Sequence, residues 1–253
     1  MRIRLILESE YDFIKLPLHH NIVVQGMLYK NLPESLSSFL HELGFFYKGR
    51  RFKLFTFSKI NSDRFVLVRK NGRIKDIKYK TPIALFISSG ISDITKNWGK
   101  TFLNKEKIKL GKNELFLDSI EVLQMPKFRE QMIIKTLSPI TVYRTFTDGK
   151  KYYRYYSPIE PEFEVLLKEN LRKKYHIITG IELTDFPFEI KPYKNIKKVL
   201  FKYKNFPIEA YEGVFQIKTD PEIFKKVYDA GLGAKNSQGF GMIEVVENGK
   251  KRS

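Results

Sequence analysis

Cysteine is absent from the 253 residues, which removes disulfides, thiolate metal sites and thiol nucleophiles together. Histidine is scarce, with 4 residues, so any imidazole chemistry must draw on His19, His20, His41 or His176. No run approaches the roughly 18 apolar residues of a membrane helix. The N-terminal stretch MRIRLILESEYD interleaves charged and apolar residues where a secretory signal would carry an unbroken apolar segment. The expectation is a soluble cytoplasmic protein with no membrane partner. Glycine (15) and proline (11) are too few for a collagenous or low-complexity chain, and 42% hydrophobic with 14% aromatic residues supply a core.

Acid is also in short supply. Lys and Arg number 46 against 28 Asp and Glu, a formal charge of +18, which points to a polyanionic partner, either nucleic acid or anionic lipid. Residues 1–125 carry +10 and the remainder +8, so the charge is spread over a folded body and not tethered in a tail. That distribution suits a groove that tracks a phosphate backbone; a generally cationic surface of thermophile type is the plainer alternative.

Residues 2–8 alternate as a strand with basic side chains on one face. Val23, Val24, Met27, Leu28 and Leu32 mark a helix over 21–32, which Pro33 stops or restarts. Leu36, Phe39, Leu40 and Leu43 form one face of a second short helix closed by Gly44. Strands are expected over 53–60, 65–68, 83–87 and 116–123, with a helix over 92–103. The second half repeats the outline: strands at 132–137 and 141–155, an amphipathic helix over 160–176, strands at 199–204 and 211–217, a helix with Asp220 as cap and Pro221 in its first turn, and a last strand from Met242 to Val246. This α+β order, given twice, predicts two tandem ferredoxin-like domains, 1–124 and 125–253, joined near 124–128.

Between the last helix and strand lies GLGAKNSQGFG, residues 231–241. Its four glycines permit tight turns and close approach to a phosphate, or they serve only to pack the connection under a neighbour; spacing alone does not choose. The segment runs from helix to strand, opposite to a Rossmann or P-loop.

GLGAKNSQGFGMIEV closely resembles the C-terminal signature of the CRISPR-associated repeat-cleaving endoribonucleases, the Cas-six family of the RAMP superfamily. The residues QGMLY (25–29), FLHEL (39–43), KLFTFS (53–58) and TLSPITV (136–142) resemble family segments in the family's order. The resemblance implies tandem ferredoxin-like domains, binding of CRISPR repeat RNA and cleavage of precursor transcripts into guide RNAs without metal or cofactor. Association with CRISPR effector-complex subunits and homodimerisation are left open, and so is a non-catalytic RNA-binding role within such a complex.

Metal-free RNA cleavage needs a base for the 2'-OH, an acid for the departing 5' oxygen and positive charge at the phosphorane-like transition state. His41 lies about 150° from the centre of its helix's apolar stripe, and Tyr29 about 140° from Val24, so neither is an obvious core residue. The resemblance makes Tyr29, His41 and Lys53 the catalytic trio, without fixing which group is base and which acid. The expected RNA-binding residues are Gly231, Gly233, Lys235, Asn236, Ser237, Gly239 and Gly241 of the loop, with His20, Lys48, Arg50 and Arg51. Lys173, Lys174, Lys191, Lys194, Lys197, Lys198, Lys202 and Lys204, and the run KKYYRYY (150–156), are further candidates that could equally be solvated faces. His176 is expected to cap the C-terminus of its helix. Asp185, Glu189 and Lys191 mimic a metal-nuclease string that arises often by chance.

Overall fold

A computed structural model describes residues 1–203 and 206–246; Lys204 lies outside them. The elements of the first unit are β1 (Arg2–Glu8), β2 (Phe13–Pro17), α1 (Asn21–Lys30), α2 (Glu34–Ser38), β3 (Phe45–Tyr47), β4 (Arg50–Phe52), β5 (Phe55–Phe57), β6 (Phe65–Lys70), β7 (Arg73–Lys80), β8 (Ile83–Ser89), α3 (Ser92–Leu103), β9 (Ile108–Leu110) and β10 (Asn113–Leu123). Strands β5-β8-β1-β10-β9 form an antiparallel sheet. The order β10-β1-β8-β5, with α1 between β1 and β5 and α3 between β8 and β10, is the ferredoxin-like arrangement.

Alternation in β1 buries Ile3, Leu5 and Leu7, and the helices close over that face with Val24, Met27 and Leu28 from α1 and Ile94, Trp98 and Phe102 from α3. The Trp98 indole N–H, which would be costly to bury unpaired, donates to the Leu28 carbonyl at 2.8 Å. A small sheet β2-β7-β6 sits beside this unit. Only β6 is legible in the sequence. In β7 the side chains of Arg73, Lys75, Lys78 and Lys80 are exposed, and a register shift opposite Val68 and Arg69 leaves Asp76 and Ile77 both half-buried, which breaks the alternation that marks a strand.

The second unit contains β11 (Gln131–Thr136), β12 (Tyr143–Asp148), β13 (Lys150–Tyr155), α4 (Pro161–Thr179), β14 (Phe188–Tyr203), β15 (Phe206–Thr219), α5 (Pro221–Val227) and β16 (Ile243–Val246). Its sheet order β14-β15-β11-β16 repeats the same topology. The α5 start is as expected: Asp220 accepts from the backbone N–H groups of Glu222 and Ile223 at 2.8 and 3.0 Å. The β14–β15 hairpin is far longer than the expected strands. Register shifts between Pro192 and Lys197 divide it, and its outer half projects beyond the sheet.

The two units share a polar seam. Arg2, on the basic face of β1, is buried; its guanidinium donates to the Tyr228 hydroxyl at 3.0 Å and the Ile243 carbonyl at 2.7 Å and lies 3.4 Å from Asp229. Ser88 of β8 donates to the Asp229 carbonyl at 2.9 Å, and Thr56 of β5 to the Phe240 carbonyl at 2.9 Å. Ile83, Leu85 and Ile87 point into the first core, while Ser88, on the other face of β8, is buried because the second unit covers it there. Among the described residues no helix is long and apolar enough to cross a membrane.

Candidate active site and nucleic-acid interface

The helix expected over residues 36–43 does not run uniformly. It is α-helical over Glu34–Ser38 and π-helical over Phe39–Leu43, where the Gly44 N–H donates to the Phe39 carbonyl at 2.7 Å. The extra residue in the turn rotates Leu43 off the buried stripe, leaving it 59% exposed, while Leu40 stays fully buried. His41 is carried by this widened turn, a feature that recurs at functional sites.

The three sequence-predicted catalytic side chains converge. The rings of Tyr29 and His41 meet edge to face with centroids 5.8 Å apart. Lys53, which precedes β5, donates from Nζ to the His41 carbonyl oxygen at 3.0 Å. Gly44 makes this approach feasible: it adopts φ +64°, and a Cβ there would lie 3.1 Å from Lys53 Nζ and 2.7 Å from the Phe52 carbonyl. An ammonium has three N–H bonds, so the bond to His41 leaves two for a phosphate. Tyr29 is half-buried against Phe55, and burial pushes its phenol up to about 12, with Tyr203 adding to the shift. Burial, with Arg51 nearby, holds Lys53 below its ordinary value. The arrangement thus offers an exposed imidazole, a phenol that stays protonated as a hydrogen-bond donor, and a partly desolvated ammonium.

The glycine-rich loop wraps a fully buried lysine. Lys174 of α4 donates from Nζ to the carbonyls of Gly231 and Gly233 at 2.6 and 3.0 Å and to Asn236 Oδ1 at 2.6 Å. The Asn236 amide in turn donates to the Leu232 and Phe240 carbonyls at 2.9 and 3.0 Å. Burial pulls the Lys174 ammonium down to about 7. Yet three acceptors match the three N–H bonds of the charged form and exceed the two of a neutral amine, so the cage itself favours the cation.

Two expectations are corrected here. Lys174 is not a surface RNA contact, and Gly231, Gly233, Asn236, Gly239 and Gly241 are buried and serve packing. A Cβ on Gly241 would sit 1.8 Å from the Leu232 carbonyl oxygen, and one on Gly239 2.5 Å from the Phe57 ring. Of the loop residues expected at RNA, Lys235 and Ser237 keep exposed surface. Lys235 lies over the Tyr143 and Tyr153 rings at 4.7 and 5.6 Å.

Helix α1 reads this loop from the other unit. Asn21 Nδ2 donates to the Gln238 carbonyl at 2.8 Å and Gln25 Nε2 to the Ser237 carbonyl at 2.7 Å. With Tyr29 these form a stripe of residues four apart on one helix face. The β3–β4 hairpin carries Lys48, Arg50 and Arg51 through a tight turn with positive φ at Lys48 and Gly49. Arg51 donates to the Glu42 carbonyl at 2.7 Å, Lys48 lies 3.5 Å from Glu182, and Arg50 faces an open cleft with Tyr143, Glu169, Asn170, Lys173 and Ala234 across the two units.

Remaining candidates fall elsewhere. His176 does not cap α4, which continues to Thr179 and ends on Gly180 in the left-handed region; its ring packs on Tyr47 at 4.4 Å, and Tyr47 donates to Glu182 at 2.6 Å. Asp185 pairs with Lys168 at 2.7 Å, and Glu189 lies 3.4 Å from Lys191 and 3.7 Å from Lys218. Lys198 pairs with Glu209 at 2.7 Å.

His20, expected at RNA, is buried at the start of α1 with its Nδ1 3.2 Å from the Pro17 carbonyl and its ring edge-on to Tyr79. Burial holds its imidazole below the ordinary value. The folded state therefore keeps His20 neutral where the unfolded chain, titrating at about 6.5, binds a proton, and stability falls as pH drops through that value. A His20→Gln variant is expected to lose less of its thermal stability than the wild type between about pH 7 and pH 5. Parallel losses in both proteins would place the titrating group elsewhere.

Two ferredoxin-like units, locked by a polar seam and carrying a Tyr-His-Lys cluster beside a glycine-rich loop, define a double-ferredoxin protein. Solved structures agree. The chain superimposes on that described as "Characterization of a Cas6-related gene from Pyrococcus furiosus" with TM-score 0.83 and 25% identity, covering 98% of this chain and 99% of the other. It superimposes on "CRISPR associated protein Cas6" with TM-score 0.79 and 29% identity over the same shares. Residues 15–121 match the family described as "CRISPR-associated protein Cas6, N-terminal" and residues 123–245 "CRISPR associated protein Cas6, C-terminal". A protein of Methanocaldococcus jannaschii named CRISPR-associated endoribonuclease Cas6 1 is 32% identical over 256 residues, 100% of this chain and 96% of the relative. The Pyrococcus furiosus protein named CRISPR-associated endoribonuclease Cas6 is 30% identical, over 97% and 89%. The chain belongs to the Cas6 family of CRISPR-associated proteins.

Proposed function

We propose that this protein is an endoribonuclease that binds CRISPR repeat RNA and cuts precursor transcripts without a metal ion. The observation that carries the reading is the convergence of Tyr29, His41 and Lys53, with Tyr29 and His41 rings in contact and Lys53 bonded to the His41 backbone. Full-length similarity to proteins named CRISPR-associated endoribonucleases supports the substrate.

In the step proposed, the 2'-oxygen attacks the adjacent phosphorus as its proton is removed, the P–O5' bond breaks, and the departing 5' oxygen takes up a proton. The products are a 2',3'-cyclic phosphate and a 5'-OH. His41, the exposed imidazole, does the acid-base work. Lys53 stabilises the charge gathering on the non-bridging oxygens. Tyr29, with its phenol pushed up to about 12, acts as a hydrogen-bond donor to the phosphate and not as a base. Arg50, Lys173, Lys235 and Ser237 supply an RNA path along the cleft between the units, to which Lys48 and Arg51 add charge, with Tyr143 and Tyr153 available for base stacking.

The test is cleavage of the cognate repeat RNA in EDTA. Full activity with cyclic phosphate ends is expected, and no cleavage of an RNA carrying a 2'-deoxy sugar at the scissile position. Dependence on added divalent metal, or normal cutting of the deoxy substrate, would overturn the mechanism.

A further inference from the structure

The side chain next to Tyr29 along the polar stripe of α1 is engaged from two directions. Gln25 donates from Nε2 to the Ser237 carbonyl of the glycine-rich loop at 2.7 Å, and its Oε1 accepts from the Tyr203 hydroxyl at 2.7 Å. Tyr203 stands at the outer end of the long β14–β15 hairpin, so a single amide joins three elements: α1 of the first unit, and the loop and hairpin end of the second. An apolar contact backs the polar one. Phe201 of the hairpin meets Phe240 of the loop edge to face at 5.1 Å, within a small core that includes Ile208 and Ala210, with Tyr203 packed against it. Asn21 repeats the loop contact one turn earlier.

We propose that Gln25 and Tyr203 are positioning residues for the cleavage reaction: the pair clamps the hairpin end and the loop onto α1 and thereby fixes the rotation of that helix, which sets where the Tyr29 phenol points. The adjoining side of α1 is held by Val24, Met27 and Leu28 in the first core, so the helix is gripped on two faces. Tyr203 also lies close enough to Tyr29 to push its phenol upward. Misplacement of a reacting group by about 1 Å can cost on the order of 100-fold in rate, so a clamp one turn away has leverage although neither residue reaches the proposed acid-base group.

The proposal rests on the endoribonuclease reading, and two readouts separate their failures. The first is single-turnover cleavage of repeat RNA together with the RNA dissociation constant, for wild type, Gln25→Ala, Tyr203→Phe and the double variant. About a tenfold drop in rate is expected for Gln25→Ala and a smaller one for Tyr203→Phe. RNA affinity should change much less than the rate, and the double variant should be no slower than Gln25→Ala, because both changes break one clamp. The second readout, amide exchange of residues 237–241 by mass spectrometry, needs no activity. Faster exchange is expected in Gln25→Ala at an unchanged melting temperature. A Gln25→Glu variant keeps the acceptor for Tyr203 but loses the donor to Ser237, and should match Gln25→Ala in loop exchange. If the wild type does not cut RNA but the loop exchange responds, the clamp stands and the enzymatic reading fails. Additive rate losses, equal losses in rate and affinity, or unchanged loop exchange would overturn the clamp.

Discussion

Replacing His41 with alanine is expected to slow cleavage of the repeat RNA by about 100- to 10,000-fold, the range that a positioned acid-base group contributes, with RNA affinity and melting temperature nearly unchanged. The structure separates these effects. His41 is exposed, and its ring meets that of Tyr29 edge to face. What holds the π-helical turn is the backbone carbonyl of residue 41, bonded to Lys53, and the Gly44-to-Phe39 bond; alanine keeps both. The measurement is the single-turnover rate with enzyme in excess, beside the dissociation constant. A variant as fast as the wild type would move the acid-base work to another residue, with His19, beside Phe201, the next imidazole to replace. A wild type that binds the repeat without cutting it would instead make this chain an RNA-holding relative.

The largest expected effect on stability comes from Lys174→Met. Methionine roughly matches the length of the stem but removes the ammonium, and three buried acceptors lose their donor at once: the Gly231 and Gly233 carbonyls and Asn236 Oδ1. Leaving a buried acceptor without its donor costs about 1 to 3 kcal/mol, and the three oxygens left behind have neither protein nor bulk water to bond. Guanidinium titration should show the loss as a lower midpoint with little change in slope. Since the loop also receives Asn21 and Gln25, RNA cleavage should fall even below the melting temperature. A variant as stable as the wild type would mean that water enters the cage and replaces the ammonium.

The tandem fold was legible because its core strands and helices advertise themselves locally. Alternation in β1, the Val24–Met27–Leu28 stripe and the Asp220-Pro221 helix start each carry their own signal, and the order of elements repeats. Residues 29, 41 and 53 came through the likeness of QGMLY, FLHEL and KLFTFS to family segments, with helical phase adding only that His41 lies off the core. What stayed hidden depends on contacts between residues distant in sequence. Arg2 and Lys174 read as cationic surface because a charged residue carries no local mark of burial; only their partners Asp229 and the loop carbonyls, 227 and 57 or more residues away, reveal it. The glycines of 231–241 read equally as a phosphate cradle or as packing, and the choice fell to packing where the Leu232 carbonyl crowds Gly241. One local clue is that Asn21, Gln25 and Tyr29 recur every fourth residue, a polar line beside the apolar one, and such a line on a helix that covers a sheet marks a second surface to be met.

The π-helical turn at Phe39–Leu43 makes chain length itself a variable of the site. Its i to i−5 bonding accommodates one residue more than an α-helical turn of the same span. Deleting Glu42 would let the bonding revert to i−4 and change the direction in which the imidazole leaves the helix, while Tyr29, His41 and Lys53 all stayed in the sequence. A protein could thus retain its full set of chemical groups and still be silent, and an inventory of residues would not reveal it; the count of residues between Phe39 and Gly44 would.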